Sequence, residues 1–137
     1  MNRHIIIASH SNLASGMSKA LKFFAGDQLN LYFIDAYVDN KPIENQVSDL
    51  MHSFDDSDEV IAFTDIMAGS VNQQFFKYVG KPHTHIVTGM NLPVVMAIAL
   101  ESPDSYLGVQ TINRLVEESK QQLVYMNTYR DEDEEDE

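Results

Sequence analysis

Two residues with complementary chemistry, His10 and Asp65, each stand at the end of a short apolar run. A carboxylate beside an imidazole accepts the proton on one ring nitrogen, fixes the tautomer and leaves the lone pair of the other nitrogen free for attack. The carboxylate also stabilises the positive charge that develops on the ring. If the fold brings the two residues together, they predict nucleophilic chemistry on His10 with Asp65 as its partner.

Small polar residues follow both positions, as an anion-binding loop requires. Backbone N–H groups at the start of a helix, together with a hydroxyl group, can receive a phosphoryl group. A structural role is the alternative, because a histidine at a strand end is often a surface residue and Asp65 or Ser70 could cap the following helix. The predicted phosphoryl-binding residues are Ser11, Asn12, Ala68, Gly69 and Ser70.

Short β-rich runs alternate with segments of helical period, a pattern typical of α/β proteins with a parallel sheet. Four strands are predicted at residues 4–9, 29–36, 59–64 and 84–88. They favour an open doubly wound sheet of three layers, with helices on both faces. Ligands bind such a sheet outside the carboxyl ends of its strands. If the first and third strands are neighbours, His10 and Asp65 emerge side by side.

The helical segments follow the strands in order. Helices are predicted from just after His10 to about Gly26, over 43–54 and over 70–79, with a fourth beginning at Pro93. Ser105 is a suitable cap for a last helix. The short apolar run 123–126 predicts a fifth strand that needs a sheet to join.

Length and composition predict one domain over residues 1–129. The 137 residues are 44% hydrophobic, which is enough for one core. Residues 131–137 are all acidic, and the segment 130–137 is therefore expected to be a disordered tail.

Charge and hydropathy exclude several classes of protein. Basic clusters are absent from the sequence, which argues against nucleic-acid binding. The sequence has no cysteine for a disulfide framework, no signal-peptide core and no run of about 20 apolar residues that could cross a bilayer. These features predict a cytoplasmic protein.

The remaining histidines carry weaker signals. His83 and His85 have the spacing of two metal ligands on one face of a strand, but no third ligand is apparent and they stand at the amino end of the fourth strand. We therefore predict no metal site. His4 and His52 are expected to be structural or surface residues.

Three motifs in order resemble the mannose-type enzyme IIA domains of the phosphoenolpyruvate-dependent sugar phosphotransferase system, and the resemblance extends to about Met126. The run Ile-Ile-Ile-Ala-Ser-His10 resembles the segment with the phosphorylated histidine. Residues 63–70 resemble the Asp-x-x-Gly-Gly-Ser loop of the family, and residues 89–93 resemble its Gly-x-Asn-x-Pro turn.

The resemblance implies a phosphotransferase. His10 would take a phosphoryl group from the phosphocarrier protein HPr and pass it to a histidine of enzyme IIB, with Asp65 orienting the ring. It implies a homodimer that exchanges the strand at 123–126, an enzyme IIB on a separate chain, and contact with the membrane components IIC and IID only through IIB. The scheme requires no metal or other cofactor.

The sequence departs from the family pattern at three positions. The residue after the histidine is commonly Gly in the family and is Ser11 here, the first Gly of the Gly-Gly-Ser loop is Ala68, and a frequent Pro is Val71. Because Ala replaces Gly without strain only where φ is negative, the shape of the phosphate loop is expected to depend on the backbone at Ala68.

Three other functions stay open. An enzyme IIA-like fold could serve as a regulatory domain that responds to its own phosphorylation. The phosphoryl-donor subunit of dihydroxyacetone kinase shares the fold, although its loop after the third strand usually differs from residues 65–70. A flavodoxin-like nucleotide or flavin binder would want a Gly-rich or Ser/Thr-rich loop after the first strand, which residues 9–12 match poorly.

Overall fold

The four predicted apolar runs form a parallel sheet in the computed structural model, which describes residues 1–130. The strand order is β2-β1-β3-β4, so the first and third strands are neighbours, which is the condition under which His10 and Asp65 are expected to meet. Every residue of β3 is buried, as expected for a strand covered on both faces. The strands are β1 (Arg3–His10), β2 (Asn30–Ala36), β3 (Glu59–Thr64) and β4 (Thr84–Val87).

Five helices cover the two faces of the sheet and confirm the predicted α/β architecture. They are α1 (Leu13–Ala25), α2 (Ile43–His52), α3 (Ser70–Phe76), α4 (Leu92–Ala99) and α5 (Val109–Lys120). Alternate residues of β1 divide between two cores. Ile5 and Ile7 pack with α1, α4 and α5, whereas Ile6 and Ala8 pack with α2 and α3. Among residues 1–130, no helix is both long and apolar enough to span a membrane.

The last helix does not begin where the sequence predicted. Gly108 precedes α5, and Ser105 belongs to the preceding loop. The carbonyl oxygen of Ser105 accepts a hydrogen bond from Arg3 (3.0 Å), whose guanidinium also binds the carbonyls of Glu101 and Ser102. The prediction of Ser105 as a cap is wrong because a residue far away in the sequence holds this loop in a non-helical path.

Two other helices are shorter than predicted. Helix α2 ends at His52 and α3 ends at Phe76. After α3 the N–H groups of Tyr78 and Val79 bond three residues back, to the carbonyls of Phe75 and Phe76. Such bonds belong to tight turns at helix ends, where boundaries are least fixed by sequence.

The apolar run 123–126 forms no strand within this chain. Its side chains are exposed, and residues 123–125 lie between a turn at 121–122 and a turn at 126–128. The sheet of residues 1–130 has four strands and does not include this segment. Exchange of this segment with a second subunit stays a prediction. The predicted acidic tail, apart from Arg130, falls outside the described residues.

A buried ion pair closes the amino end of the sheet, opposite His10. Arg3 on β1 contacts Glu59 on β3, and the two residues are direct neighbours across the strands. Arg3 is 7% exposed and Glu59 is fully buried. The second oxygen of Glu59 accepts the N–H of Leu107 at 2.6 Å. The pair therefore joins two strands to the loop before α5.

Removal of one partner of this pair should be costly. We expect Glu59→Ala to lower the free energy of unfolding by about 3–5 kcal/mol, because Arg3 is left buried without its counter-charge. Urea denaturation provides the measurement. Glu117→Ala is the control, because Glu117 pairs with Lys120 where both side chains are exposed, and such pairs contribute about 0–1 kcal/mol. Similar losses in both variants would contradict the prediction.

Candidate active site

His10 and Asp65 meet at the carboxyl edge of the sheet, as the sequence predicted. One oxygen of Asp65, Oδ2, accepts the backbone N–H of His10 (2.8 Å) and lies 2.8 Å from Nδ1 of its ring. A carboxylate only accepts hydrogen bonds, so Nδ1 carries the proton and Nε2 keeps its lone pair. The side chain of His10 is 39% exposed, whereas that of Asp65 is 6% exposed. The ring is thus accessible and its partner is enclosed.

The environment of Asp65 keeps it ionised. Burial raises the pKa of this carboxyl, but hydrogen bonds from the backbone and ring of His10, the charge of the ring, and the N–H of Ile66 together lower the pKa below its usual value. The Ile66 bond reaches the other oxygen, Oδ1, at 2.9 Å. Asp65 is therefore a charged acceptor that fixes the ring and can offset positive charge on it.

Ser70 faces the free nitrogen of the ring. It is the first residue of α3, and its Oγ lies 3.2 Å from Nε2 of His10. Because Nε2 is an acceptor in this tautomer, the hydroxyl of Ser70 donates to it. Gly69 makes the approach possible: a Cβ added there would lie 3.4 Å from Cε1 of His10 and 3.1 Å from the carbonyl oxygen of Ile66.

Protein oxygens already accept several of the backbone N–H groups near the start of α1, where an anion-binding loop was predicted. The N–H groups of Ala14 and Ser15 donate to Ser9 Oγ (2.7 Å) and Asp35 Oδ1 (2.9 Å). The N–H of Ser11 donates to the last carbonyl of β2 at 2.9 Å. These donors hold the loop after His10 in place and are not free for an anion.

The start of α3 also offers free backbone donors. Within the described residues, the N–H groups of Ser70 and Val71 have no protein acceptor. Asn12, on the α1 side, is exposed and its side chain makes no capping hydrogen bond. The backbone N–H groups of Asn12 and Leu13 likewise have no protein acceptor within the described residues, so an anion bound to Nε2 can find backbone donors at the starts of both α1 and α3.

Two residues of the site have left-handed backbone. Ser11 has φ 55° and Ala68 has φ 64°. The positive φ of Ala68 arises because this residue is the third of a turn closed by the N–H of Gly69 to the carbonyl of Ile66 (3.1 Å). That turn position requires positive φ and favours glycine. Ser11 and Ala68, which replace the glycines of the family pattern, thus both stand at positions whose positive φ favours glycine.

Tyr37 is a site residue that the sequence pattern does not reveal. It follows β2 directly, with φ 68°. Its hydroxyl lies 2.7 Å from Oγ of Ser70, and its ring centroid lies 5.5 Å from that of His10. One signal could have found it, because β2 neighbours β1 and its carboxyl end therefore borders the same site.

The third motif, residues 89–93, has a structural role at the start of α4. Asn91 caps α4 by accepting the N–H of Val94 at 2.9 Å, and its Nδ2 donates to the carbonyl of Ser119 at 3.2 Å. Gly89 supplies a positive φ of 70°. The turn therefore joins α4 to the end of α5.

The other four histidines contact protein groups of their own. His83 and His85, for which no metal site was predicted, have different partners, since His83 stacks on a ring while His85 meets a backbone carbonyl. Residues 1–130 hold no cluster of three acidic, histidine or cysteine side chains that could bind a metal ion. The contacts are His4 with Asp58, His52 with Ser48, His83 with Tyr106, and His85 with Leu107.

Comparison with known proteins agrees with this geometry. The sequence profile of the family EIIA-man, described as PTS system fructose IIA component, matches residues 4–116. The chain belongs to this mannose-type enzyme IIA family. The match runs from β1 into α5 and includes His10, Asp65 and Ser70. Family members are components of a sugar phosphotransferase system.

Solved structures share the fold over nearly the whole chain. A candidate phosphoenolpyruvate-dependent sugar phosphotransferase system permease from Klebsiella pneumoniae is 32% identical, with a TM-score of 0.83 over 93% of both chains. The PTS IIA protein associated with the fucose utilization operon of Streptococcus pneumoniae is 27% identical, with a TM-score of 0.76 over 93% of this chain and 95% of that chain. A mannose/sorbose-specific IIA subunit from Enterococcus faecalis, 13% identical, shares the fold at a TM-score of 0.75 over 95% and 98% of the two chains.

Relief of the left-handed backbone at position 68 should stabilise the protein. We expect Ala68→Gly to raise the free energy of unfolding by about 1 kcal/mol, because the Cβ strain at positive φ disappears. Ala97→Gly is the matched control, since Ala97 lies within α4 and glycine costs about 1 kcal/mol in a helix. Urea denaturation of both variants gives the comparison. A loss of stability in Ala68→Gly would disprove the strain.

Proposed function

We propose that this chain is a phosphocarrier that accepts a phosphoryl group from HPr on Nε2 of His10 and passes it to enzyme IIB. The observation that carries the proposal is the division of the two ring nitrogens. Asp65 holds Nδ1 at 2.8 Å, and Nε2 faces the hydroxyl of Ser70. A histidine held in this way is a nucleophile with a fixed direction of attack.

The transfer step needs little from the protein except position and charge. The lone pair of Nε2 attacks phosphorus as the bond from phosphorus to the donor histidine of HPr breaks, and the donor ring leaves with those electrons. Nδ1 keeps its proton, so the phosphorylated ring is positively charged and Asp65 offsets that charge. The hydroxyl of Ser70 and the N–H groups of Ser70 and Val71 can then donate to phosphoryl oxygens.

The surface around His10 suits a protein partner. Apolar side chains are exposed on both sides of the histidine: Leu13 at the start of α1, and Ile66 and Met67 in the loop before α3. A partner that covers them would exclude water from the phosphoryl group during transfer. Met17, further along α1, packs against the core.

Membership in the family also supports the cellular setting that we propose. The chain would act in the cytoplasm and would contact the membrane components IIC and IID only through enzyme IIB. The phosphoryl group itself leaves His10 by the reverse of the chemistry that brought it, so one site serves both partners.

We further propose a homodimer in which the segment 123–126 adds a strand to the sheet of a second copy. Two observations support it. Leu123, Tyr125 and Met126 are exposed side by side in a segment without strand partners among the described residues. Strand β4 ends the sheet, and no described strand covers its outer edge. An exposed edge and an apolar segment are complementary, because each lacks what the other supplies.

Phosphorylation tests the main proposal. With phosphoenolpyruvate, enzyme I and HPr, the wild type should gain one acid-labile phosphoryl group by intact mass, and His10→Ala should gain none. Asp65→Asn should accept the group roughly 10²-fold more slowly or worse, because the ring loses its charged partner and its fixed tautomer.

His52→Ala is the control, since His52 is an exposed histidine that bonds only within its own helix. It should be phosphorylated like the wild type. If the wild type gains no mass, His10 is not a phosphoryl acceptor and the regulatory function takes the place of the carrier. If His10→Ala still gains mass, another residue is the acceptor.

Light scattering of the full chain tests the dimer. The wild type should have the mass of two chains, and Met126→Asp should shift it toward one, because a charge cannot be buried at the new strand pair without a partner. Val109→Asp is the control, because Val109 is an exposed apolar residue at the start of α5. A monomeric wild type, or equal behaviour of both variants, would rule out the exchange.

A further inference from the structure

Tyr37 lies in the site with an unusual backbone conformation. It is the first residue after β2, with φ 68°, a conformation uncommon for a bulky side chain. The preceding residue, Ala36, is fully buried and pairs across the sheet with His10. The carbonyl of Ala36 also accepts the N–H of Ser11 at 2.9 Å. The backbone that carries Tyr37 is therefore tied to the reactive histidine and to the residue that follows it.

The left-handed turn brings the side chain of Tyr37 over the site. Its ring centroid lies 5.5 Å from that of His10 with the planes tilted by 33°. Its hydroxyl lies 2.7 Å from Oγ of Ser70. Strained residues of this kind gather at functional sites when the surrounding structure holds them in place.

The hydrogen bonds form a chain with one direction. Nδ1 of His10 donates to Asp65, so Nε2 accepts, and the hydroxyl of Ser70 is its donor. That leaves the Ser70 oxygen as an acceptor, and the hydroxyl of Tyr37 is the donor within reach among residues 1–130. The order is Tyr37 to Ser70 to His10 to Asp65. Tyr37 thus determines which way the Ser70 hydroxyl points.

We propose that Tyr37 is a positioning residue that holds the Ser70 hydroxyl at Nε2 and thereby stabilises phosphorylated His10. The inference rests on the proposed phosphocarrier function. Once Nε2 bonds to phosphorus, its lone pair is gone and Ser70 must donate elsewhere. The oxygen atoms of the new phosphoryl group then lie beside it. A donor to Ser70 keeps its oxygen in place and strengthens the bond that Ser70 donates.

The expected result is a shift in the equilibrium of transfer. Tyr37→Phe keeps the ring near His10 and removes only the hydroxyl. We expect the equilibrium constant for phosphoryl transfer from HPr to fall roughly 2- to 10-fold, the effect of one hydrogen bond. Intact mass spectrometry of mixtures at known ratios measures this constant, and thermal unfolding checks that the variant is folded.

A double-mutant cycle separates positioning from a general structural effect. Ser70→Ala removes the group through which Tyr37 acts, so Tyr37→Phe should change the equilibrium constant little in that background. Tyr106→Phe is the matched control, since its hydroxyl donates to the carbonyl of Ser57 at 2.6 Å, near the amino end of β3. This control should transfer like the wild type.

Each other outcome counts against the inference in a distinct way. Equal constants for the wild type and Tyr37→Phe overturn the role of Tyr37 and leave the phosphocarrier function intact. If Tyr37→Phe lowers the equilibrium constant equally in the wild-type and Ser70→Ala backgrounds, Tyr37 does not act through Ser70. A wild type that accepts no phosphoryl group contradicts the proposed function and the inference with it.

Discussion

The contact between one carboxylate oxygen of Asp65 and two nitrogens of His10 depends on how β1 and β3 pair. These strands run parallel with Ala8 opposite Thr64, and both end within two residues of that pair. Oδ2 of Asp65 accepts the backbone N–H of His10, which would otherwise lack a partner at the strand end, and it also holds Nδ1. One atom therefore ends the strand and orients the ring. The imidazole of His10 is therefore fixed to the sheet by contacts at a strand end.

The opposite ends of the same strands explain why this pairing is stable in register. Arg3 and Glu59 are direct partners across β1 and β3, and both are buried. A slip of one residue would separate these charges in the core and would move Asp65 away from His10. The structural ion pair at one edge and the reactive pair at the other thus report on a single register. Apolar residues between them favour burial, but the charged pairs specify which residues stand opposite each other.

The sequence predicts the site residues that stand at strand ends. It does not predict residues whose position depends on the backbone conformation of a turn or loop. The rule that ligands bind at carboxyl ends of parallel strands is sufficient to bring His10 and Asp65 together. The place of Tyr37 depends on a left-handed turn that no property of a tyrosine announces. Ala68 is a second case, because its residue type favours negative φ while the turn around it requires the opposite. Ser105 is displaced from a helix by Arg3, a contact too distant in sequence for any local pattern to contain.

Left-handed residues gather on this edge, and they are not equivalent. Ser11, Tyr37 and Ala68 all have positive φ without being glycine. Glycine at 11 or 68 would keep the same loop, since neither side chain makes a hydrogen bond to another site residue among residues 1–130. Glycine at 37 would relieve the backbone but would remove the hydroxyl that contacts Ser70. At two positions the strain is therefore a cost of residue type alone, whereas at Tyr37 the same conformation places a donor beside the atoms that react.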